Sequence, residues 1–363
     1  MKYIHPDYYD NFKCIADACP KTCCAGWQIE IDDNSLNKYS SMKIDTVDYH
    51  EQAFFHDNKK RCLNLDENGL CKLITAHGPD ILCHTCATFP RHIEEFENVR
   101  EYSLSISCPE VARMILSTVE PISFNRSEDA TLDEEDYNPE EQSIYRLLSV
   151  LRDNFIDIAQ DRTRTLDDRM GQILAIAKAF QDEIDFVLLG DGEIEDIDLE
   201  AVLHVAYKPL DLTPEVRHTL FDAMKDWEYT GDEFVDIINF SEETIYNTTS
   251  RKSVDICDMT TSMSSHLSSK NINLDIIMEQ ILVYFIYAYF CGSAYDEYYF
   301  GQAQLSVATC VHIQDLMLAH YINTGSIDLA DIIRFTYLYA RELEHSIPNI
   351  LATEAYMDEH PLV

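Results

Sequence analysis

The chain of 363 residues has little glycine and proline, 10 and 11 respectively. A many-turned β fold needs both at its bends, so this scarcity, with Leu, Ile, Ala and Glu frequent, favours helices. Positive charge is scarce as well: 27 Lys and Arg stand against 65 Asp and Glu, a net charge of −38. A surface that acidic repels phosphate backbones and argues against nucleic acid as a partner. Long apolar runs are missing. The most apolar stretch, Ile281–Tyr295 (ILVYFIYAYFCGSAY), has 15 uncharged residues, short of the ~20 that a membrane helix needs. It reads as a buried core helix. The first residues, MKYIHPDYYDNFKC, hold no apolar segment of signal-peptide type. The expectation is a soluble, cytoplasmic protein with no membrane partner, in a compartment that disfavours a disulfide framework.

Cysteine, by contrast, is concentrated. Of 12 cysteines, nine lie between residues 14 and 108: Cys14, Cys19, Cys23, Cys24, Cys62, Cys71, Cys83, Cys86 and Cys108. Cys257, Cys291 and Cys310 are scattered and read as small core hydrophobes. This asymmetry divides the chain into a Cys-rich module over 1–120, an acidic linker over 121–142 and a helical domain over 143–363. The segment SEDATLDEEDYNPEEQ (127–142) is acidic and aperiodic, as a solvated loop would be. Residues 1–120 carry 12 basic and 19 acidic side chains, and the remainder 15 and 46. That acidity serves solubility first, and could also attract a lysine-bearing partner.

The first cysteines follow the spacing C-x4-C-x3-C-C in CPKTCCAGW and the residues before it. Pro20 suits a helix start and Gly26 a helix end, so Cys19 to Gly26 is expected to form about two turns, with Cys19 and Cys23 on one face. In RCLNLDENGLCKL (61–73) the Asp-Glu-Asn-Gly run is a turn signal. A hairpin closed there sets Asn64 opposite Cys71 and Cys62 diagonal to Cys71. That separation, about 7–8 Å, is long for a disulfide and suited to a shared metal. LCHTCATFPRH (82–92) adds a C-x2-C with His84 inside and His92 after it, both more ordinary as surface histidines than as ligands. Cys108-Pro109 matches the end of a common iron–sulfur ligand run. Nine cysteines in 95 residues, with a vicinal pair, point to metal or cluster binding rather than inert burial. Zinc and a [4Fe–4S] cluster each take four ligands, so nine leave room for two sites or for accessory thiols.

Beyond residue 143 the apolar spacing is helical: Ile144, Leu147, Leu148 and Leu151; Met170, Ile173, Leu174 and Ala177; Leu282, Phe285, Ile286 and Tyr289; Ile332, Phe335, Thr336 and Tyr339. Thr213-Pro214-Glu215 is a helix start. The fold class is therefore mainly α: a Cys-rich N-terminal module with a short β-hairpin, then an α-helical domain. The aromatics Tyr284, Phe285, Tyr287, Tyr289, Phe290, Tyr295, Tyr298 and Tyr299 are more often core, and otherwise the wall of a pocket for cationic groups. Arg341 and His345 share a helix face beside Glu344, either as a polar helix end or as a cluster facing the cysteines.

The cysteine set, together with DENGLCKL, LCHTCATFPRHIE and SLSISCPEVAR, resembles the flagellin lysine-N-methylases. The first 116 residues also resemble the CxxCxxCC type of zinc- or iron-chelating domain, with wider gaps. LVYFIYAYFCGSAYD and YARELEHS resemble the methylases' C-terminal helices. The resemblance implies transfer of methyl groups from S-adenosylmethionine to lysine amines of flagellin or another protein, and a [4Fe–4S] cluster, with Zn2+ the alternative, held by cysteines of the nine. It names no catalytic residue and no cofactor contact. There is no glycine-rich dinucleotide-type loop and no C-x3-C-x2-C triplet, so the cofactor would bind in another way, one route being chelation of a cluster iron by its methionine part. The other classes open to this sequence are a non-catalytic zinc- or iron-binding protein and a thiol redox sensor.

Overall fold

A computed structural model of the protein describes residues 1–96, 98–129, 139–246 and 255–363. The N-terminal part combines short helices with a mixed four-stranded sheet. Strand β1 (Lys2–Pro6) lies between β5 (Val99–Leu104), to which it is parallel, and β6 (Phe124–Glu128), to which it is antiparallel; β4 (Arg91–Phe96) forms a hairpin with β5, giving the order β4-β5-β1-β6. A two-stranded ribbon, β2 (Val47–Asp48) and β3 (Ala53–Phe54), stands apart. Helix α1 (Asp33–Met42) starts at Asp32, whose carboxylate accepts from Ser35 N. Three more helices, α2 (Lys72–His77), α3 (His84–Thr88) and α4 (Pro109–Leu116), each begin directly after a cysteine.

Two expectations fail locally. Cys19–Gly26 is a succession of turns, not a helix. Cys19 is extended (φ −72°, ψ 122°) after a 3-10 turn at Ala16–Ala18, and Gly26 has φ +95°. The turn at Asp66–Gly69 forms as the sequence requires, with the Asp66 carboxylate accepting from Asn68 N and Leu70 N. The ladder does not extend, however, and the residue opposite Cys71 is Leu65, not Asn64. Closure of the loop by Asp66 N on Leu70 O, at 2.9 Å, shifts the register by one.

The rest is helical: α5 (Pro139–Ala159), α6 (Leu166–Leu189), α7 (Leu199–Leu203), α8 (Pro214–Asp222), α9 (Asp232–Ile245), α10 (Ile256–Ser269), α11 (Leu274–Tyr289), α12 (Tyr299–Thr324), α13 (Leu329–Glu344) and α14 (Ile347–Glu359). The expected stripes point inward; Met170, Ile173, Leu174 and Ala177 are all buried. Thr213 caps α8 by accepting from Val216 N, with Pro214 at the first helical position. Helix α11 is buried on all sides from Ile277 to Tyr287, as a core helix should be. Within the acidic segment 127–142, residues 130–138 lie outside the described residues; β6 runs to Glu128 and α5 begins at Pro139.

One apolar core joins sheet and helices, taking in Ile4, Phe96, Val99 and Leu104 with Leu148, Phe155, Phe285 and Leu343. A second, smaller core lies under the cysteines and contains Ile29, Ile31, Tyr39, Phe54 and Leu73. Inside the main core Glu101 of β5 meets Arg152 of α5, both nearly inaccessible, and accepts from Tyr145 OH at 2.6 Å. Removing one member of such a pair strands a buried charge. Arg152→Met is therefore expected to cost about 3–5 kcal/mol of stability, read from urea unfolding; an unchanged midpoint would show that the pair is not holding sheet to helix.

His312 of α12 is fully buried, with Nε2 donating to Leu220 O (2.7 Å) and Nδ1 accepting from Tyr339 OH (2.9 Å). Burial above all lowers its pKa to about 4. The unfolded chain takes up a proton near pH 6.5 and the folded one does not, so stability is present above that pH and falls as pH drops towards 4. The expected loss is on the order of 3 kcal/mol. Glu354, raised by burial to about 7, acts in the opposite sense over the same range. A His312→Gln protein should therefore lose the histidine's part of the acid slope; an identical pH profile in both proteins would contradict the assignment.

Candidate metal centre and the helix that faces it

The cysteines meet around a cavity of about 430 Å³, lined by Cys14, Cys19, Cys23, Cys24, Cys62, Cys71, Cys86 and Cys108. The ninth, Cys83, is buried behind Cys86 and shares a hydrogen bond with its thiol. Cys71, Cys83 and Cys108 are the N-cap residues of α2, α3 and α4. Free amides at a helix start favour negative charge, and at two of these starts they reach the sulfur. The amides of Val111 and Glu110 face the Cys108 sulfur, and that of Cys86 faces Cys83.

Backbone ties fix the rest. Cys62 N donates to Cys24 O at 2.8 Å, which fastens the vicinal pair to the 61–73 turn. Ala16 N lies 3.4 Å from Cys14 Sγ, and Asn64 Nδ2 3.7 Å from Cys62 Sγ. Trp27 Nε1 donates to Cys23 O at 2.5 Å.

Burial raises the Cys62 and Cys108 thiols to about 11. In the vicinal pair the hydrogen bond between the thiols puts the proton on Cys23 and leaves Cys24 lowered; in the same way Cys86 keeps the proton and Cys83 is lowered. So many desolvated thiols are stable together either protonated or on a cation, and cation binding releases their protons.

The donor chemistry fits a metal–thiolate centre, of zinc or of an iron–sulfur cluster. Among the described residues the one His, Asp, Glu or Cys group whose ligand atoms already lie within 4.8 Å of one another is His218, Asp222 and Glu242. Lys225 already bridges its carboxylates at 2.6 and 2.9 Å, so it holds a cation of its own.

Helix α13 packs on α4 and brings Arg341 to the cavity wall. Its Nη2 donates to Ala25 O (2.7 Å) and Thr22 O (3.5 Å), but its Nη1, though buried, has no partner. Burial chiefly, partly offset by Cys23, Glu342 and Cys19, lowers its pKa. A buried guanidinium with an unpartnered nitrogen lacks a compensating anion, and Arg341 borders both the cysteine cavity and a smaller pocket lined by Lys60, Thr230 and Glu342.

One turn on, Glu344 is half-buried behind the wall. It accepts from Ser107 N (3.1 Å), Ser105 Oγ and Tyr284 OH, and burial raises its pKa despite these donors. His345 stacks on Trp27 (centroids 4.3 Å apart) and bonds Ser107 Oγ at 3.0 Å; burial first, then Arg341, lowers its pKa to about 4, so it is neutral near pH 7. The RELEHS segment thus faces the cysteine module.

Two other sequence expectations resolve differently. The aromatic run Tyr284–Tyr299 does not line the cavity; most of its rings pack in or against the core, Tyr295 is exposed, and Tyr284 serves Glu344. The aromatic wall is Phe12, Trp27, Phe54 and Phe89. Trp27 could have been found from its place just after the vicinal cysteines, whereas Phe89 and Arg341 carry no comparable signal. His84 and His92 are exposed and off the cavity, His92 pairing with Glu94 at 2.5 Å.

Comparison with known proteins adds the family. The chain is 28% identical over 208 residues to the Lysine-N-methylase of Salmonella typhimurium (strain LT2), covering 52% of this chain and 50% of that protein. It is 27% identical over 208 residues, again 52% and 50%, to the Lysine-N-methylase of Salmonella choleraesuis. To the Flagellar biosynthetic protein FliU of Salmonella muenchen it is 32% identical over 127 residues, 31% of this chain and 75% of that one. The chain thus spans about half the length of the two methylases. No solved structure matches. Residues 152–362, more than half the chain and including Arg341, Glu344 and His345, match the FliB lysine N-methylase C-terminal domain, and the protein belongs to that family.

Proposed function

We propose that the protein is a protein-lysine N-methyltransferase that uses S-adenosylmethionine and a [4Fe–4S] cluster held by cysteines of the cavity, with flagellin or another lysine-bearing protein as substrate. One observation carries this beyond family membership: helix α13, inside the matched region, inserts a buried, half-partnered Arg341 into the wall of the cysteine cavity. A purely metal-storing protein has no need of that arm.

Each part of the wall has a task. Held by three cysteines of the cavity, the cluster would supply an iron open to the donor's methionine part. Arg341 Nη1 takes the donor's carboxylate, a charge-assisted contact in a desolvated place. Trp27, Phe89 and Phe12 offer ring faces to its sulfonium. The volume lies within the usual range for small-molecule sites, about 300–1,000 Å³. Glu110, braced by Arg113 at 2.6 and 2.8 Å, is the carboxylate on the wall that meets a lysine ammonium. Transfer requires the neutral amine. Its lone pair forms the N–C bond as the S–C bond breaks, the sulfonium becomes a neutral thioether, and the surplus proton leaves to solvent.

The test is anaerobically reconstituted protein with S-adenosylmethionine carrying a deuterated methyl group, and purified flagellin analysed by peptide mass spectrometry. Labelled methyl-lysines are expected. Unlabelled flagellin after many equivalents of donor, with the cluster intact, would reject flagellin as substrate. The same outcome across a lysine-bearing proteome would reject the methyltransferase reading.

A further inference from the structure

We infer that the small cleft beside the cysteine cavity is an anion subsite for the protein substrate, taking the carboxylate of an Asp or Glu that lies near the target lysine in the substrate's sequence. The inference deepens the proposed function and rests on it for the lysine that fills the cavity.

The cleft, of about 160 Å³, is lined by Lys21, Lys59, Lys60 and Arg341 and by the residues that start α9. In a chain of net charge −38, four cations here face two carboxylates, Glu233 and Glu342. Both carboxylates are already engaged. Glu233 pairs with Lys21 at 2.5 Å and with Arg334 at 2.9 Å. Glu342 accepts from Thr230 N at 2.8 Å and from Thr230 Oγ1 at 2.6 Å.

Local structure builds the cleft. Lys60 N closes the 57–60 turn on Asp57 O at 3.0 Å, and the Asp57 carboxylate accepts from Lys59 N and Arg61 N. Gly26 N then donates to Lys60 O at 2.9 Å, which seats this turn on the one that follows the vicinal cysteines. Lys60 Nζ crosses to Thr230 O at 2.6 Å, and Lys59 is left exposed. From the other side comes the start of α9, a helix of 14 residues. Its N-cap, Gly231, offers no side-chain acceptor, so the amides of the first turn await another oxygen. Asp232 and Glu233 in that turn offset part of the helix charge, and Glu233 is held by its own partners.

Arg341 is the residue that asks for an anion. It is 5% exposed, its Nη1 is buried without a partner, and it lines the cleft as well as the cavity. Nη1 carries two N–H groups, so a donor carboxylate on the cavity side leaves one for the cleft. Lys21 is likewise common to both walls. A protein segment that sends its lysine into the cavity therefore has a basic cleft one wall away, and the anion such a segment brings is a carboxylate of its own. The field of the whole chain repels acidic segments. A preference for an acidic neighbour thus has to come from the cleft itself.

The experiment is fluorescence anisotropy on the full chain, reconstituted anaerobically, with labelled synthetic peptides. Each peptide carries one lysine and, one to four residues away, either glutamate or glutamine. At one spacing or more the glutamate peptide should bind about 10-fold more tightly. The preference should weaken with added salt and vanish in Lys59→Gln/Lys60→Gln. Lys178→Gln/Lys208→Gln, the same change of charge away from the cleft, should retain it. Should the first double variant fail to fold, Lys59→Gln alone, which spares the bond from Lys60 to Thr230, should weaken the preference. Equal or immeasurable affinities at every spacing, or a preference unchanged in the Lys59 and Lys60 variants, would overturn the inference. Binding of inorganic phosphate with no glutamate preference would make the cleft a site for a free anion and overturn it too. Glutamate-dependent binding without methyl transfer would leave the subsite standing and reject the proposed activity.

Discussion

An Arg341→Met protein should retain its iron but transfer methyl groups roughly 100- to 1,000-fold more slowly at subsaturating donor, about 2.7–4 kcal/mol in kcat/KM. The size follows from two magnitudes. A hydrogen bond to a charged group contributes about 1.5–3 kcal/mol, and leaving one buried charge of a pair without its partner costs about 3–5 kcal/mol. Arg341 also holds Ala25 O and Thr22 O, so its loss could loosen the vicinal cysteines. Arg341→Lys separates the two roles, because a lysine keeps the charge but cannot serve the carbonyls and the cavity with two arms. If the free arm binds donor, the lysine variant keeps its metal with a raised KM for S-adenosylmethionine. Equal KM values in wild type and both variants would remove Arg341 from donor binding.

The second large effect belongs to the vicinal pair. Cys23→Ser/Cys24→Ser removes two adjacent thiols from the cavity wall and is expected to lose most of the bound metal, and methyl transfer with it. Structural metal–thiolate sites carry on the order of 10 kcal/mol of binding free energy, so losing ligands is far larger than any packing change made by the two oxygens. Cys257→Ser is the control: Cys257 is exposed on α10, away from the cavity, and its removal should leave metal content unchanged. Full metal retention in the double variant would take the pair out of the ligand set.

How much of this was legible follows from which interactions are local. The stripes on α5, α6, α11 and α13 were readable because helix burial repeats within a few residues, and the Thr213 cap because it uses a bond three residues long. The sheet was not readable. Strand β1 pairs with residues about 100 and 125 positions away, and its short, polar-rich sequence carries little period-two signal of its own. The cysteine spacing names the set that surrounds the cavity, but the local geometry departs from the helix it suggests. Pro20 and Gly26 suggested a helix, but the carbonyls of Thr22 and Ala25 are taken by a guanidinium more than 300 residues later in the chain. The density of the aromatic run on α11 marks the core, whereas the rings at the cavity are isolated ones, Trp27 and Phe89, brought there by turns.

The measurement that tests the central claim most directly is the electron paramagnetic resonance spectrum of anaerobically reconstituted, chemically reduced protein, with and without saturating S-adenosylmethionine. The account predicts an iron–sulfur signal that changes shape when the donor is added, and that in Arg341→Met needs more donor to change. An iron–sulfur signal indifferent to bound donor, or stoichiometric zinc with no iron signal, would contradict it.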